Sequence, residues 1–238
     1  KQISDELDKI KTDISFSGFP NGLTINVNTD KKNLAAALAL LDDLLRNPKF
    51  DAAEFDKAVL DAKASTEANM SDPQTIVSEK LSKLTTNYPK GHPSYASSSA
   101  EQLEELAKTS LDDVKNFYKD FYGANNSISA FVGELDKNTI TGFLNKTFGT
   151  WDSKMKFTAI APKHFDVKGG TEAINTPDKT NAVVLGNINI NISETHKDYP
   201  ALFMANELLG GGAFLSSRIP MRLRENEGMS YGAGTYMN

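Results

Sequence analysis

The sequence predicts a helix-rich α+β fold, on three observations. Residues 14–27 alternate apolar and polar on either side of Asn21-Gly22, a strong hairpin signal. Residues 33–148 then carry a succession of 3.6-residue apolar periodicities with capping residues or proline at their boundaries. Further on, Asn187-Ile188-Asn189-Ile190-Asn191-Ile192 is a strict two-residue alternation, which gives a strand one apolar and one polar face.

Each element follows from its local chemistry. Residues 33–46 form an apolar-rich helix, started by Thr29 or Asp30 and stopped by Pro48. Residues 51–69 are amphipathic, with Phe55, Val59 and Ala62 on one face. Glu54 and Glu67 on this helix have no histidine pair beside them and read as solvated faces rather than ligands or bases. Pro73 opens a helix in which Ile76, Val77, Leu81 and Leu84 recur at helical spacing. Ser110-x-x-Asp113 is a capping pattern and begins a helix ending near Tyr122. Its aromatics, Phe117, Tyr118, Phe121 and Tyr122, are spaced for core packing rather than for an aromatic binding box. Residues 127–135 alternate as a buried strand, and 136–148 form another helix.

The pattern fades from Trp151 to Gly170. Lys154, Lys156, Pro162, Lys163, Gly169 and Gly170 predict an exposed interdomain linker, long for an internal loop. Beyond it, 172–176 and 181–192 read as strands, 199–209 and 216–227 as helices. The asparagines of 187–191 suit ordinary sheet solvation, with a bound peptide strand as the alternative. Gly210-Gly211-Gly212 makes a turn and not a phosphate loop, because no Gly-Lys-Ser/Thr follows. Gly228 is placed to end the last helix, since glycine accepts the left-handed conformation of a C-cap. Residues 229–237 then alternate as a strand whose small residues let another backbone come close.

Composition excludes several functions. The net charge of −5 lacks the basic stripe that nucleic acid requires. No apolar run reaches the roughly 18 residues of a membrane span. Zero cysteines rule out disulfides and leave the compartment open. The three histidines, His92, His164 and His196, stand far apart, and no cysteine completes a zinc set with them.

One pair remains. Arg224 and Tyr231, seven residues apart, straddle a helix end and the strand after it. Arginine binds a carbonyl or carboxylate with a planar fork of donors. A tyrosine hydroxyl donates to a developing oxyanion. From the residues alone the pair also reads as a solvated arginine and a packing tyrosine.

The stretch Asp198-Tyr-Pro-Ala-Leu-Phe-Met-Ala-Asn206 with the glycines after it, Ser217-Arg218-Ile219, and Leu223-Arg-Glu-Asn-Glu-Gly-Met-Ser-Tyr-Gly232 resemble the M16 (insulinase/pitrilysin) metallopeptidases. So do Tyr88-Pro-Lys-Gly-His92-Pro-Ser-Tyr95, Ser110-Leu-Asp-Asp-Val114, Phe121-Tyr-Gly-Ala-Asn125 and Phe131-Val-Gly-Glu134. The resemblance covers nearly all 238 residues and is nearest the long, four-domain, pitrilysin-like type. It implies an M16-type (LuxS/MPP-like) antiparallel sheet packed with helices. It also implies an internal fragment of the half that lacks zinc: 1–150 the later half of one M16-like domain, 151–171 a linker, and 172–238 the first half of the following domain.

The family's His-x-x-Glu-His zinc motif is missing from these residues. The resemblance therefore places zinc in the parent enzyme but outside this chain, and expects the fragment alone to be inactive. Arg224 and Tyr231 match the family's arginine–tyrosine pair in type and spacing. They imply substrate binding by Arg224, Tyr231 and Gly232, and oxyanion stabilisation by Tyr231. The implied partners are a peptide substrate and the zinc-bearing half, in the same protein or in a partner subunit, with no nucleic acid. The implied location is periplasmic or cell-envelope. A non-catalytic M16 homologue acting as scaffold or peptide-binding subunit is the alternative.

Overall fold

A computed structural model describes residues 2–19, 21–212 and 216–237. The chain divides into two compact units, residues 1–187 and 188–238.

The first unit begins with helix α1 (Gln2–Lys9) and the antiparallel hairpin β1 (Asp13–Phe19) and β2 (Gly22–Asn28). Ile14 pairs with Val27, Phe16 with Ile25 and Gly18 with Leu23, so one face of the hairpin is apolar. The expected Asn-Gly turn is displaced. Gly22 pairs with Phe19 inside the ladder, so it belongs to β2 and not to the turn. Pro20 lies outside the described residues.

Helix α2 (Leu34–Arg46) carries the buried apolar core: Ala37, Leu38, Leu41 and Leu45 lie on one stripe. Each buried leucine there contributes about 1.5–3 kcal/mol relative to exposure. A 3-10 turn at Lys31–Asn33 precedes α2, and Asp30 makes no side-chain capping bond to it, contrary to expectation. The five helices that follow are capped by side chains, and of these caps only Ser110-x-x-Asp113 is named from the sequence. Asp51 accepts from the amides of Ala53 and Glu54 and opens α3 (Ala52–Asn69). Asp72 accepts from the Thr75 amide and opens α4 (Pro73–Thr85). Reciprocal Ser98–Glu101 and Ser110–Asp113 capping boxes open α5 (Ser99–Leu106) and α6 (Leu111–Phe121). Asp136 caps α7 (Lys137–Thr147).

Helix α7 lies against α2, and their contact is polar. Asp42 accepts from the fully buried Thr147 hydroxyl at 2.8 Å and from Lys146 Nζ at 2.6 Å. Helix α6 is fixed through Tyr118, which packs edge-on against Phe50, stacks on Tyr122 and donates its hydroxyl to the Leu45 carbonyl. That carbonyl lies in the last turn of α2, where it has no partner within the helix. Burial pushes the Tyr118 phenol up to about 12, with Tyr122 adding to the effect. Phe117 and Phe121 stack on each other and stay exposed, so only part of the aromatic row is packing.

The segment after α7 is fastened along the first unit. Trp151 lies under the Arg46 guanidinium, 5.5 Å from it, and its carbonyl accepts from the Ala124 amide at 2.6 Å. Lys154 pairs with Asp120 at 3.1 Å, the Lys163 amide donates to the Tyr88 hydroxyl at 3.0 Å, and Glu172 pairs with Lys80 at 2.9 Å.

Four expected strands are absent among the described residues, 229–237 among them. Segments 127–135, 172–176 and 181–192 form no ladder, and Ile128 and Val132 are 99% and 97% exposed. Alternation specifies the two faces of a strand, but a ladder also requires a paired neighbour.

Candidate functional site

The second unit is built from two helices that both end in wide turns. Helix α8 (Tyr199–Asn206) continues into a π-helical turn, Glu207–Gly211. Helix α9 (Arg218–Pro220) continues into a second, Met221–Asn226. The expected helix over 216–227 is therefore shorter and largely π-wound: the Glu227 amide donates to the Arg222 carbonyl, five residues back, at 3.1 Å. Gly228 closes it with φ +62°, as its position predicts. The Gly228 amide reaches the Arg224 carbonyl at 3.1 Å and the Met229 amide the Leu223 carbonyl at 2.8 Å. These bonds turn the chain back along the helix. Residues 229–237 leave the cap without a ladder, which corrects the strand expected there.

This reversal brings Arg224 to Tyr231. The guanidinium carbon stands 4.8 Å from the centroid of the tyrosine ring. A cation over an exposed aromatic face is worth about 0.5–1 kcal/mol, enough to bias the rotamers of both side chains. Arg224 Nε also lies 3.5 Å from the Glu225 carboxylate, and Arg222 pairs with Glu227 at 2.5 Å. Tyr231 is 81% exposed. Gly232, the third expected binding residue, accepts from the Ser230 hydroxyl at 2.7 Å, and a Cβ on it would meet nothing within 4 Å. Arg224 at the helix end, half-buried, and the exposed Tyr231 and Gly232 after it thus lie near one another, with the guanidinium over the phenol ring.

The histidines are committed locally. His92 stacks on Tyr88 with ring centroids 4.3 Å apart, and its Nδ1 accepts from the Ser94 amide at 3.0 Å. His164 Nε2 lies 3.1 Å from Asp166, and His196 Nδ1 accepts from the Asp198 amide at 3.2 Å. Glu54 and Glu67 are exposed on α3. Among the described residues, no group of three or more His, Cys, Asp or Glu side chains converges to hold a metal ion. The donor set of the described residues does not fit a zinc site. Among the same residues no helix is long and apolar enough to cross a membrane.

Sequence reasoning overlooked one polar hub in the first unit. Glu101 accepts from the Ser98 amide at 2.9 Å, the Tyr95 hydroxyl at 2.8 Å and Lys83 Nζ at 3.1 Å. The Ser98 amide foremost, then Tyr95 and Lys83, hold its carboxyl well below the usual carboxylate range. The signal was the Ser98-x-x-Glu101 capping box. These donors favour the ionised carboxylate and tie Glu101 into the start of α5 as a structural group.

The family model described as Peptidase M16 inactive domain matches residues 108–238, and that of Insulinase (Peptidase family M16) matches residues 2–97. The chain belongs to peptidase family M16. Among its relatives is an uncharacterized zinc protease, YmxG, of Bacillus subtilis (strain 168), 26% identical over 84% of this chain and 46% of the relative. Another is an uncharacterized zinc protease of Rickettsia felis, 24% identical over 99% of this chain and 55% of the relative. The chain spans about half the length of these relatives. The crystal structure of a peptidase M16 inactive domain from Pseudomonas fluorescens matches 97% of this chain and 54% of its own, with a TM-score of 0.69 at 20% identity. That likeness shows the M16 α+β fold.

Proposed function

We propose that this chain is the zinc-free half of an M16 endopeptidase, supplying substrate binding and oxyanion stabilisation through Arg224 and Tyr231. The observation that carries the reading is the 4.8 Å stack of Arg224 on Tyr231 at an exposed turn. Zinc of the parent enzyme is held outside this chain, whose own side chains act on the substrate. Arg224 directs its planar fork at a backbone carbonyl of an extended peptide. When water adds to the scissile carbonyl, negative charge develops on its oxygen, and the Tyr231 hydroxyl donates a hydrogen bond to it. Stacking against the guanidinium limits where that hydroxyl points, so little reorganisation is needed as the charge forms. Gly232 presents no side chain beside the phenol and lets the peptide backbone approach.

A second reading draws on the words "inactive domain" in the description matched by residues 108–238. In it the chain is a non-catalytic scaffold or peptide-binding subunit, and the pair only packs. The two readings diverge in one experiment. Purified chain should contain no stoichiometric zinc by elemental analysis and should leave a mixed peptide library uncut. Adding the zinc-bearing half should produce chelator-sensitive cleavage at a rate well above that of the zinc-bearing half alone. Equal rates with and without this chain would favour the scaffold. Cleavage by the clean chain alone would overturn the assignment of its half.

A further inference from the structure

The backbone that carries Tyr231 crosses the end of the preceding helix at two glycines. A Cβ on Gly234 would stand 2.9 Å from the Gly210 carbonyl oxygen. A Cβ on Gly210 would stand 2.8 Å from the Thr235 amide nitrogen and 3.1 Å from the Gly234 carbonyl carbon. These neighbours are backbone atoms, which cannot rotate aside as a side chain could. Neither glycine is among those with positive φ, so space and not conformation demands glycine at 210 and 234. By contrast, a Cβ on Gly232, two residues from Gly234, would meet open space.

The crossing is also hydrogen-bonded, with the Thr235 hydroxyl donating to the Asn206 carbonyl at 3.4 Å. On the other side of Tyr231, the Met229 amide is tied to the Leu223 carbonyl at 2.8 Å. Tyr231 therefore sits on a short span anchored at both ends, at Met229 and at Gly234-Thr235, with its ring under Arg224. Moving the far anchor by a fraction of an ångström moves the span, and the phenol with it.

We infer that the Gly210–Gly234 crossing positions the Tyr231 hydroxyl, making Gly210 and Gly234 positioning residues for the proposed reaction. The inference rests on the proposed role of Tyr231. An added methyl at 234 must push the span away from Gly210 by about 0.5–1 Å. A misplacement of about 1 Å in a reacting constellation can cost on the order of 10²-fold in rate.

The test uses the full-length protein together with its zinc-bearing half and one quenched peptide. Wild type, Gly234→Ala, Tyr231→Phe and Tyr231→Phe/Gly234→Ala are compared, with Gly142→Ala on α7 as the remote control. Gly142→Ala should behave as wild type, since a Cβ there meets nothing within 4 Å. Gly234→Ala should lower kcat by about 10- to 100-fold with KM changed less than about threefold. In the Tyr231→Phe background the same substitution should cost less than about threefold, because no hydroxyl remains to be misplaced. Circular dichroism and Tm establish that each variant folds. Should Gly234→Ala fail to fold, Thr235→Val is the second probe: it removes the bond to Asn206 without adding bulk and should give a smaller kcat loss, again absent without the Tyr231 hydroxyl. Wild-type kcat in folded Gly234→Ala, beside a strong loss in Tyr231→Phe, would overturn the inference alone. Equal fold losses in both backgrounds would also overturn it, as a structural effect indifferent to the phenol. Wild-type kcat in Tyr231→Phe would overturn the reading beneath it, and the inference with it.

Discussion

Asp42→Ala should loosen α2 from α7 chiefly through the hydroxyl it abandons. The two bonds to Asp42 are unequal. Lys146 is 72% exposed, so its ion pair is worth about 0.2–1 kcal/mol. Thr147 is fully buried, and losing its acceptor at 2.8 Å leaves a desolvated hydroxyl that costs about 1–3 kcal/mol. Together the substitution should cost about 2–3 kcal/mol. Thr147→Val fills the same space without a hydroxyl. In that background Asp42→Ala should cost only about 1 kcal/mol, a coupling of about 1–2 kcal/mol. Urea unfolding at pH 7 measures this: with a slope of about 1–3 kcal/mol per molar, the wild-type background should lose roughly 1 M in midpoint. The Lys146 hydrogen bond foremost holds the Asp42 carboxyl below its ordinary 3.8. Its contribution is therefore present above the unfolded pKa and fades as pH falls below it toward the folded one. An equal cost of Asp42→Ala in both backgrounds would refute the assignment of the loss to Thr147.

The Glu101 hub makes a second pH-dependent prediction: Glu101→Gln should be less stable than wild type at neutral pH. Because the folded carboxyl is depressed, the difference should narrow as pH falls below the ordinary 4.5, and a midpoint difference constant from pH 7 to pH 3 would contradict it. Gly123→Ala should destabilise the first unit by about 1–3 kcal/mol, because its Cβ would lie 2.2 Å from the Ser153 amide nitrogen. Thermal unfolding checks this, and an unchanged Tm would show that the segment after Trp151 is not held against α6.

What the sequence revealed was chiefly local. Ser110 was legible as a cap because a cap needs only the next three residues. Gly228 was legible for the same reason. The hairpin was legible as a hairpin, but Asn-Gly misplaced its turn, since the pairing of Phe19 with Gly22 decides the register. Segments 127–135, 172–176, 181–192 and 229–237 show where local reading ends: alternation is present, and the pairing that would make it a strand is not. Arg224 and Tyr231 could be named from resemblance, but their adjacency depends on a π-wound turn and a glycine cap acting together. The Gly210–Gly234 crossing was foreshadowed only as a strand with small residues. Its partner lies twenty-four residues away, beyond any periodic signal.

If Tyr231 donates to the oxyanion, removing one oxygen atom should disable the enzyme. Tyr231→Phe keeps the ring under Arg224 and deletes only the hydroxyl. In the full-length protein with its zinc-bearing half, steady-state kinetics on one quenched peptide should show kcat lowered by roughly 10²–10³, the range for losing one such donor, with KM little changed. A folded, zinc-replete Tyr231→Phe enzyme with near-wild-type kcat would be incompatible with that role and leave Tyr231 a packing residue.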